Sequence, residues 1–137
     1  MPEPALVPLI GAVDPAVAET PQLSLQLAGA GRFGSRRRPT VCWADVSGDV
    51  AELAALAVRL ATAVRRIGLP VEDRPFRAHL TLGRWRPGRP ADGDLPERLA
   101  GHRGPVWPVR EVVLWRSHLG GEPRYERVTA WPVGRDQ

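Results

Sequence analysis

The sequence predicts an α+β domain with a mostly antiparallel sheet. Three observations support this class. Segments with strand periodicity are mixed with helical ones, the last strands are joined by a hairpin-like turn, and 137 residues suffice for one core. Hydrophobic residues make up 43% of the chain and charged residues 25%, which is typical of a globular protein rather than a disordered one. We therefore expect residues 1–137 to form a single domain.

The first elements are predicted from periodicity and from turn residues. Residues 5–13 can form one or two turns of helix. Residues 23–28 alternate between leucine and less apolar side chains, as a half-buried strand does. The glycine- and arginine-rich segment 29–39 is predicted as a loop. Residues 40–46 are β-branched and aromatic, which favours a second strand.

A long helix is predicted between Ser47 and Gly68. Either Ser47 or Asp49 can serve as its N-cap, and Gly68 followed by Pro70 ends it. Its apolar residues recur at helical spacing on one face: Leu53, Leu56, Ala57, Leu60, Val64 and Ile67. This face is expected to pack against the core.

The last part of the chain alternates between strands and turns. Residues 75–84 are predicted as a strand, and a proline- and glycine-rich linker follows at 86–94. A short helix is expected near 96–100. Two closing strands, at 109–117 and 124–131, are joined by a turn that contains two glycines.

Composition excludes several classes of chemistry. All 19 basic residues are arginine, and 15 acidic residues leave a net charge of +4. Because lysine is absent, Schiff-base, lysyl-adenylate and P-loop chemistry are excluded. Cys42 is the only cysteine, which excludes a disulfide framework and a multi-cysteine metal site. No apolar run approaches the length of a membrane span, and we expect a cytoplasmic protein without membrane contact.

The strand at 75–84 contains the candidate chemistry. Its period places His79 and Thr81 on one face, where an imidazole and a hydroxyl lie side by side. The opposite face is apolar and is expected to pack on a helix; it consists of Ala78, Leu80 and Leu82. Because the H-x-T tripeptide is common, the tripeptide alone favours a histidine that only makes a hydrogen bond within a half-exposed sheet.

Two arginines flank this pair. Arg77 lies on the face of His79, and Arg84 lies just beyond it beside a glycine. A titratable imidazole next to a hydroxyl donor and permanent cations suits the binding and transfer of a phosphoryl group.

The segment PFRAHLTLGR, residues 75–84, resembles the second signature of the two-histidine (2H) phosphoesterases. Within this superfamily, the chain resembles the RNA 2′,3′-cyclic phosphodiesterases, also called 2′-5′ RNA ligases. The resemblance extends, in the same order along the chain, over residues 23–46, 52–70, 111–119 and 124–134. The resemblance implies a bilobal α+β fold. Two mostly antiparallel sheets with flanking helices would face a cleft, with one H-x-T motif on each lobe.

The resemblance also implies a reaction. Water opens the 2′,3′-cyclic phosphate end of an RNA or nucleotide to a 2′-phosphomonoester, without a metal or another cofactor. One histidine acts as general base on the water, and the other protonates the departing 3′ oxygen. By this similarity His79 is the catalytic proton acceptor, and Thr81 binds the phosphate.

The sequence departs from the family pattern at the first H-x-T motif. Glycine follows His102 and His118 two residues later, so neither forms such a motif. Residues 1–13 resemble the segment that comes after the first motif. We therefore expect an N-terminally truncated fold with impaired phosphodiesterase activity, and self-association through an uncovered sheet edge. The alternative is a non-catalytic RNA- or nucleotide-binding module.

Four further residues are candidates for substrate binding: Phe33, Arg36, Ser117 and Tyr125. Arg36 belongs to a run of arginines that either binds RNA phosphates or forms a solvated turn. Phe33 and Trp85 are the aromatic residues expected to stack on bases. Ser117 and Tyr125 occupy positions that are polar near the family's cleft, although a structural hydrogen bond explains them equally well. Core packing is predicted for Trp115 and Trp131.

Overall fold

The computed structural model describes residues 5–87, 94–118 and 120–134. In chain order the described elements are α1 (Leu6–Ala18), β1 (Leu23–Gly34), β2 (Pro39–Gly48), α2 (Val50–Arg66), β3 (His79–Arg84), α3 (Leu95–Leu99), β4 (Arg103–Val109), β5 (Glu111–His118) and β6 (Arg124–Pro132). The chain divides into two compact units. The helical unit contains Ala54–Phe76 with the residues before Ser24 and after Pro108, and the sheet unit contains Ser24–Leu53 and Arg77–Pro108.

The core of the helical unit forms between α1, α2 and the antiparallel pair β5–β6. Its buried residues are Leu9, Val13 and Val17 of α1, Leu56 of α2 and Trp131 of β6. Leu60, Val64 and Ile67 pack against this cluster, which confirms the predicted apolar face of α2. None of the helices in the described ranges is long and apolar enough to cross a bilayer.

Helix α1 is longer than the predicted segment 5–13. It continues to Ala18 through Pro15, because Val13, Ala16 and Val17 remain buried at helical spacing. The Ala16 carbonyl near its end accepts hydrogen bonds from Arg59 at 3.3 Å and from the Thr20 hydroxyl at 3.1 Å, and Arg59 also donates to the Thr20 hydroxyl at 2.6 Å. These bonds satisfy groups that a helix end leaves without internal partners.

Helix α2 follows β2 with almost no connection. Ser47 belongs to β2, and Asp49 precedes the first helical residue, so the N-cap position is that of Asp49. The Asp49 carboxylate accepts the backbone N–H of Ser24 at 2.8 Å. At the other end Gly68 has a φ of +88°, a conformation that favours glycine and ends the helix as predicted.

The sheet unit is a four-stranded sheet in the order β3-β2-β1-β4. Strand β2 pairs antiparallel with both β1 and β3, which leaves β3 at one edge. The antiparallel α+β class predicted from the sequence is therefore confirmed.

The predicted loop at 29–39 is wrong over most of its length. Strand β1 continues to Gly34, and the connection to β2 contracts to residues 35–38. Glycine disfavours strands because it has no side chain to pack. Here the ring of Trp43 occupies the space beside Gly31, so the missing side chain is what permits the pairing.

Strand β4 was not predicted. Its sequence contains Gly104, Pro105 and Pro108, which interrupt a strand pattern. It lies at the other edge of the sheet, and Gln26 of β1 donates a hydrogen bond to the carbonyl of Gly104 at 2.8 Å. An edge strand tolerates proline because one side of its backbone has no strand to pair with.

The predicted strand at 75–84 is too long: β3 begins at His79, where its described pairing with β2 begins, and residues 75–78 have no regular secondary structure. The other predicted elements agree with the structure in position. The short helix at 96–100 corresponds to α3, and the closing strands correspond to β5 and β6. Gly120 and Gly121, in the turn between β5 and β6, have φ values of +99° and +68°, a conformation that favours glycine. The predicted linker at 86–94 lies mostly outside the described residues.

Candidate active site

His79 and Thr81 lie on β3, the edge strand of the sheet unit. In the antiparallel register His79 is opposite Asp45 and Thr81 is opposite Trp43. Residues directly opposite each other project from the same face of a sheet. Both members of the H-x-T motif therefore share a face with Trp43 and Asp45, and both are exposed.

Aromatic rings surround the imidazole on this face. The ring of Phe33 meets that of His79 edge-on, with centroids 5.0 Å apart, and the Trp43 ring lies 6.3 Å away. Phe33 and Trp43 are themselves 5.6 Å apart. Trp43 is only 7% exposed, whereas Phe33 is 38% exposed. Trp43 is thus a buried support, and Phe33 is the ring that a ligand could reach.

The backbone selects the protonated nitrogen of His79. Nδ1 lies 2.6 Å from the carbonyl oxygen of Arg77. Because a carbonyl oxygen only accepts, Nδ1 must donate, and in the neutral ring the lone pair is on Nε2. No group in the described part of the chain hydrogen-bonds to Nε2. The imidazole is therefore arranged to accept a proton at Nε2.

The side chain of Arg77 is held on the same face. Its guanidinium carbon lies 4.6 Å from the centroid of the Trp43 ring, a cation–π distance. Its Nη2 lies 3.4 Å from Oδ2 of Asp45. The expected proximity of Arg77 to His79 is present, and the cation makes contacts within the sheet.

A bulge brings Arg84 to this face. The pairing shifts between Trp43, which is opposite Thr81, and Cys42, which is opposite Gly83, so that Leu82 is the extra residue. Arg84 is then opposite Val41, two residues from Trp43 on β2. Simple alternation would place Thr81 and Arg84 on opposite faces, and the bulge reverses this.

The expected packing of the leucine face is wrong. Leu80 is 49% exposed and Leu82 is 51% exposed. Helix α3 is the element on that side, but it has only five residues, and Arg32 of β1 forms an ion pair with its Glu97. It covers the middle of the sheet, so the edge strand stays largely uncovered.

Arg36 and Cys42 do not belong to this cluster. Arg36 forms an ion pair with Asp94, immediately before α3. Cys42 is buried on the α3 side of β2, and burial raises the pKa of its thiol. Within the described residues, no group of His, Cys, Asp and Glu side chains is arranged to hold a metal ion.

Ser117 and Tyr125 lie in the helical unit, opposite each other on β5 and β6. Tyr125 is 66% exposed. Trp131 is buried as predicted, but Trp115 is 55% exposed, so its predicted core packing is wrong. Val112 and Leu114 of β5 pack against the core, and the alternation along β5 places Trp115 on the opposite face of the strand.

Trp43 and Asp45 were not predicted as neighbours of His79. The alternation in 40–46 places Val41, Trp43 and Asp45 on one face, and this signal was readable. What the alternation does not show is which strand pairs with β2, and in which register. Trp43 and Asp45 become neighbours of His79 only through the β2–β3 pairing.

A sequence model of the 2′-5′ RNA ligase superfamily matches residues 6–121 of the chain. A relative from Geobacillus stearothermophilus is 31% identical over 134 residues, which are 97% of this chain and 42% of the relative. One from Bacillus subtilis (strain 168) is 30% identical over 121 residues, 88% of this chain and 64% of that one. Both are named RNA 2′,3′-cyclic phosphodiesterase. The chain thus spans less than two thirds of either relative.

Solved structures share the fold. The crystal structure of TT0787 from Thermus thermophilus superposes with a TM-score of 0.77 at 23% identity, covering 100% of this chain and 74% of that one. The structure of E. coli LigT complexed with 3′-AMP gives a TM-score of 0.70 at 23% identity, covering 97% and 71%. The fold expected from the resemblance is therefore confirmed.

Proposed function

Because the chain belongs to the 2′-5′ RNA ligase superfamily, we propose that its site acts on RNA or nucleotides that end in a 2′,3′-cyclic phosphate. The reaction is hydrolysis of the ring to a 2′-phosphomonoester, and it is supported by two relatives that are named RNA 2′,3′-cyclic phosphodiesterase. The observation that supports it best is the bond from His79 Nδ1 to the Arg77 carbonyl, which leaves Nε2 as the basic atom.

The proposed step begins at Nε2 of His79. This atom takes a proton from a water molecule as the water oxygen attacks phosphorus. The new P–O bond forms while the bond from phosphorus to the 3′ oxygen breaks. The departing 3′ oxygen takes a proton from water, or from the histidine of the other H-x-T motif where that motif is present, and the phosphate remains on the 2′ oxygen.

Thr81 and Arg84 are proposed to bind the non-bridging oxygens. Thr81 is two residues from His79 on the same exposed face, and its hydroxyl can donate to a phosphate oxygen. The bulge at Leu82 brings Arg84 to this face, where its guanidinium can neutralise developing charge. Phe33 is proposed as a support for the adjacent base, because its partly exposed ring lies beside His79.

The activity of these 137 residues alone is proposed to be impaired. Of the three histidines in the sequence, only His79 is followed two residues later by threonine. His118 pairs with Glu126 at 3.2 Å in the helical unit. Loss of one positioned acid or base costs about 10²–10⁴ in rate. A version that also includes the other H-x-T motif should regain that factor.

The catalytic proposal is tested with a nucleoside 2′,3′-cyclic phosphate and separation of the 2′- and 3′-phosphate products. We expect slow formation of the 2′-phosphate, which His79→Gln abolishes and Thr81→Val reduces, because each removes a group that contacts the reacting phosphate. His102→Gln is the matched control and should change nothing. Turnover that survives His79→Gln, or a 3′-phosphate product, would contradict the proposed mechanism.

The second candidate function is RNA binding without turnover. It is favoured by the arginine run at 36–38, whose residues are exposed in the connection between β1 and β2. Binding through phosphates weakens with salt, with a slope in log K of about −0.7 for each contact on a single strand. Titration of a cyclic-phosphate RNA at several salt concentrations measures this slope. If the arginine run is the binding surface, Arg37→Gln and Arg38→Gln should each make the slope less negative, by about 0.7 for each lost contact.

A cytoplasmic location is also proposed. It is supported by the single cysteine, which is buried as a free thiol in the sheet unit.

A further inference from the structure

We propose that Arg77 is a positioning residue for His79 rather than a ligand of the substrate phosphate. Its side chain is anchored on Trp43 and Asp45, and its backbone carbonyl thereby fixes which nitrogen of His79 is protonated. This inference rests on the proposed role of His79 as proton acceptor, and it revises the substrate-binding role expected for Arg77.

The backbone at Arg77 lies outside the sheet. Residues 69–78 have no regular secondary structure, and the described β2–β3 register ends at Asp45 and His79. Strand pairing therefore does not extend to the peptide whose carbonyl accepts the bond from Nδ1. Another restraint must hold that peptide at 2.6 Å from the ring.

The side chain of Arg77 supplies this restraint through two contacts. The guanidinium carbon is 4.6 Å from the centroid of Trp43, and Nη2 is 3.4 Å from Oδ2 of Asp45. Both partners lie on β2, directly across from Thr81 and His79. Arg77 thus spans from the segment before β3 back to the strand beside it, which restrains its own backbone.

Trp43 restrains Arg77 because its ring is buried and closely packed. It is 7% exposed, and it packs against Gly31 so closely that a Cβ at that position would overlap the ring. A closely packed aromatic face attracts the guanidinium 4.6 Å above it and so restrains the position of that cation. Asp45, which is half-exposed, then sets the direction of the guanidinium.

The two roles of Arg77 predict different kinetics. If Arg77 positions His79, loss of its side chain releases the peptide whose carbonyl accepts Nδ1–H. Part of the ring population then carries the proton on Nε2, and that nitrogen cannot act as a base. The turnover number kcat falls while KM stays nearly unchanged. If Arg77 instead binds the phosphate in the ground state, KM rises.

The deciding experiment observes the tautomer directly, so it does not depend on activity. Long-range ¹H–¹⁵N correlation spectra of the ¹⁵N-labelled 137-residue chain are recorded at a pH where the ring is neutral, with His79→Gln for assignment. We expect the native ring to be protonated at Nδ1. Arg77→Met and Asp45→Asn should shift the ring toward a mixture of tautomers, Arg77→Lys should restore most of the native signal, and Arg84→Met should leave it unchanged.

A native ring protonated at Nε2, or an Arg77→Met variant that keeps the native tautomer, would overturn the inference. Circular dichroism of each variant shows whether the fold is retained, and Trp43→Phe, which keeps an aromatic face, should behave as the native chain. In a version of the protein that also includes the other H-x-T motif, Arg77→Met should lower kcat by about tenfold to a hundredfold. A higher KM with unchanged kcat would contradict positioning. A correct tautomer without turnover would instead contradict the proposed function alone.

Discussion

At the scale of single residues, the site depends on one glycine that has no chemical role. Gly31 lies opposite Trp43, and the indole occupies the space where a side chain would be. Trp43 in turn contacts His79 and supports Arg77. The indole Nε1 is buried without a hydrogen bond to any described residue. Trp43 therefore contributes to the site through the contacts of its ring rather than through its N–H.

We predict that Gly31→Ala destabilises the protein by about 1–3 kcal/mol, the usual cost of overpacking a filled site. The new Cβ must displace the Trp43 ring, since it would overlap that ring. Urea unfolding followed by tryptophan fluorescence measures the change. Gly83→Ala is the control, because nothing lies within 4 Å of a Cβ built there. Equal stability of the two variants would show that Trp43 can move freely.

At the scale of elements, helix α3 is held to the sheet by charge. Arg32 of β1 donates to the Glu97 carboxylate, and Arg36 pairs with Asp94 just before the helix. The helix has only five residues, too few to be stable by itself. Its position therefore depends on these pairs and on contacts with the sheet.

The hydrogen bond from Arg32 holds the pKa of Glu97 below its usual range. A carboxyl group with a lowered pKa in the folded state stabilises that state above its unfolded pKa, and the contribution is lost as pH falls through the folded value. We predict that acidification loosens α3, measured as lower amide protection factors at residues 95 and 97–99 relative to the intrinsic exchange rate at each pH. Glu97→Gln should show the low protection already at neutral pH and lose this pH dependence. Identical pH profiles for variant and parent would exclude the role of Glu97.

Strand β3, at the edge of the sheet, exposes both backbone groups and leucine side chains. Its N–H and C=O groups on the outer side have no described strand to pair with, and Leu80 and Leu82 are about half exposed. An exposed apolar edge is a site for pairing with a second chain. The candidate catalytic residues are on this same strand.

At the scale of the whole molecule, we predict concentration-dependent self-association through β3. Leu80→Lys should reduce it, because a charged side chain on an edge opposes pairing. Sedimentation velocity at several protein concentrations measures the equilibrium. Val7→Lys, a change at an 81% exposed position of α1, is the matched control and should associate as the parent does. A parent chain that stays monomeric at all concentrations would refute the prediction.

Much of the architecture was predictable from local patterns. The apolar face of α2, the hairpin at β5–β6 and the common face of His79 and Thr81 all follow from periodicity within one segment. The missed strand β4 and the shortened loop before β2 share a different cause. In both cases glycine or proline residues disfavour a strand in the sequence pattern. Strand β4 forms because it pairs with β1, and β1 continues past Gly31 because the ring of Trp43 fills the space beside that glycine.

The family, the antiparallel α+β class and the H-x-T motif could be predicted from residue order, because they depend on motifs and on periods of two or 3.6 residues within single segments. The folded chain was needed to show that Trp43 and Asp45 flank His79, that a bulge places Arg84 on their face, and that Leu80 stays exposed. The physical reason is that each of these depends on strand register. Register is set by contacts between segments far apart in the chain, and a shift of one residue reverses every side chain.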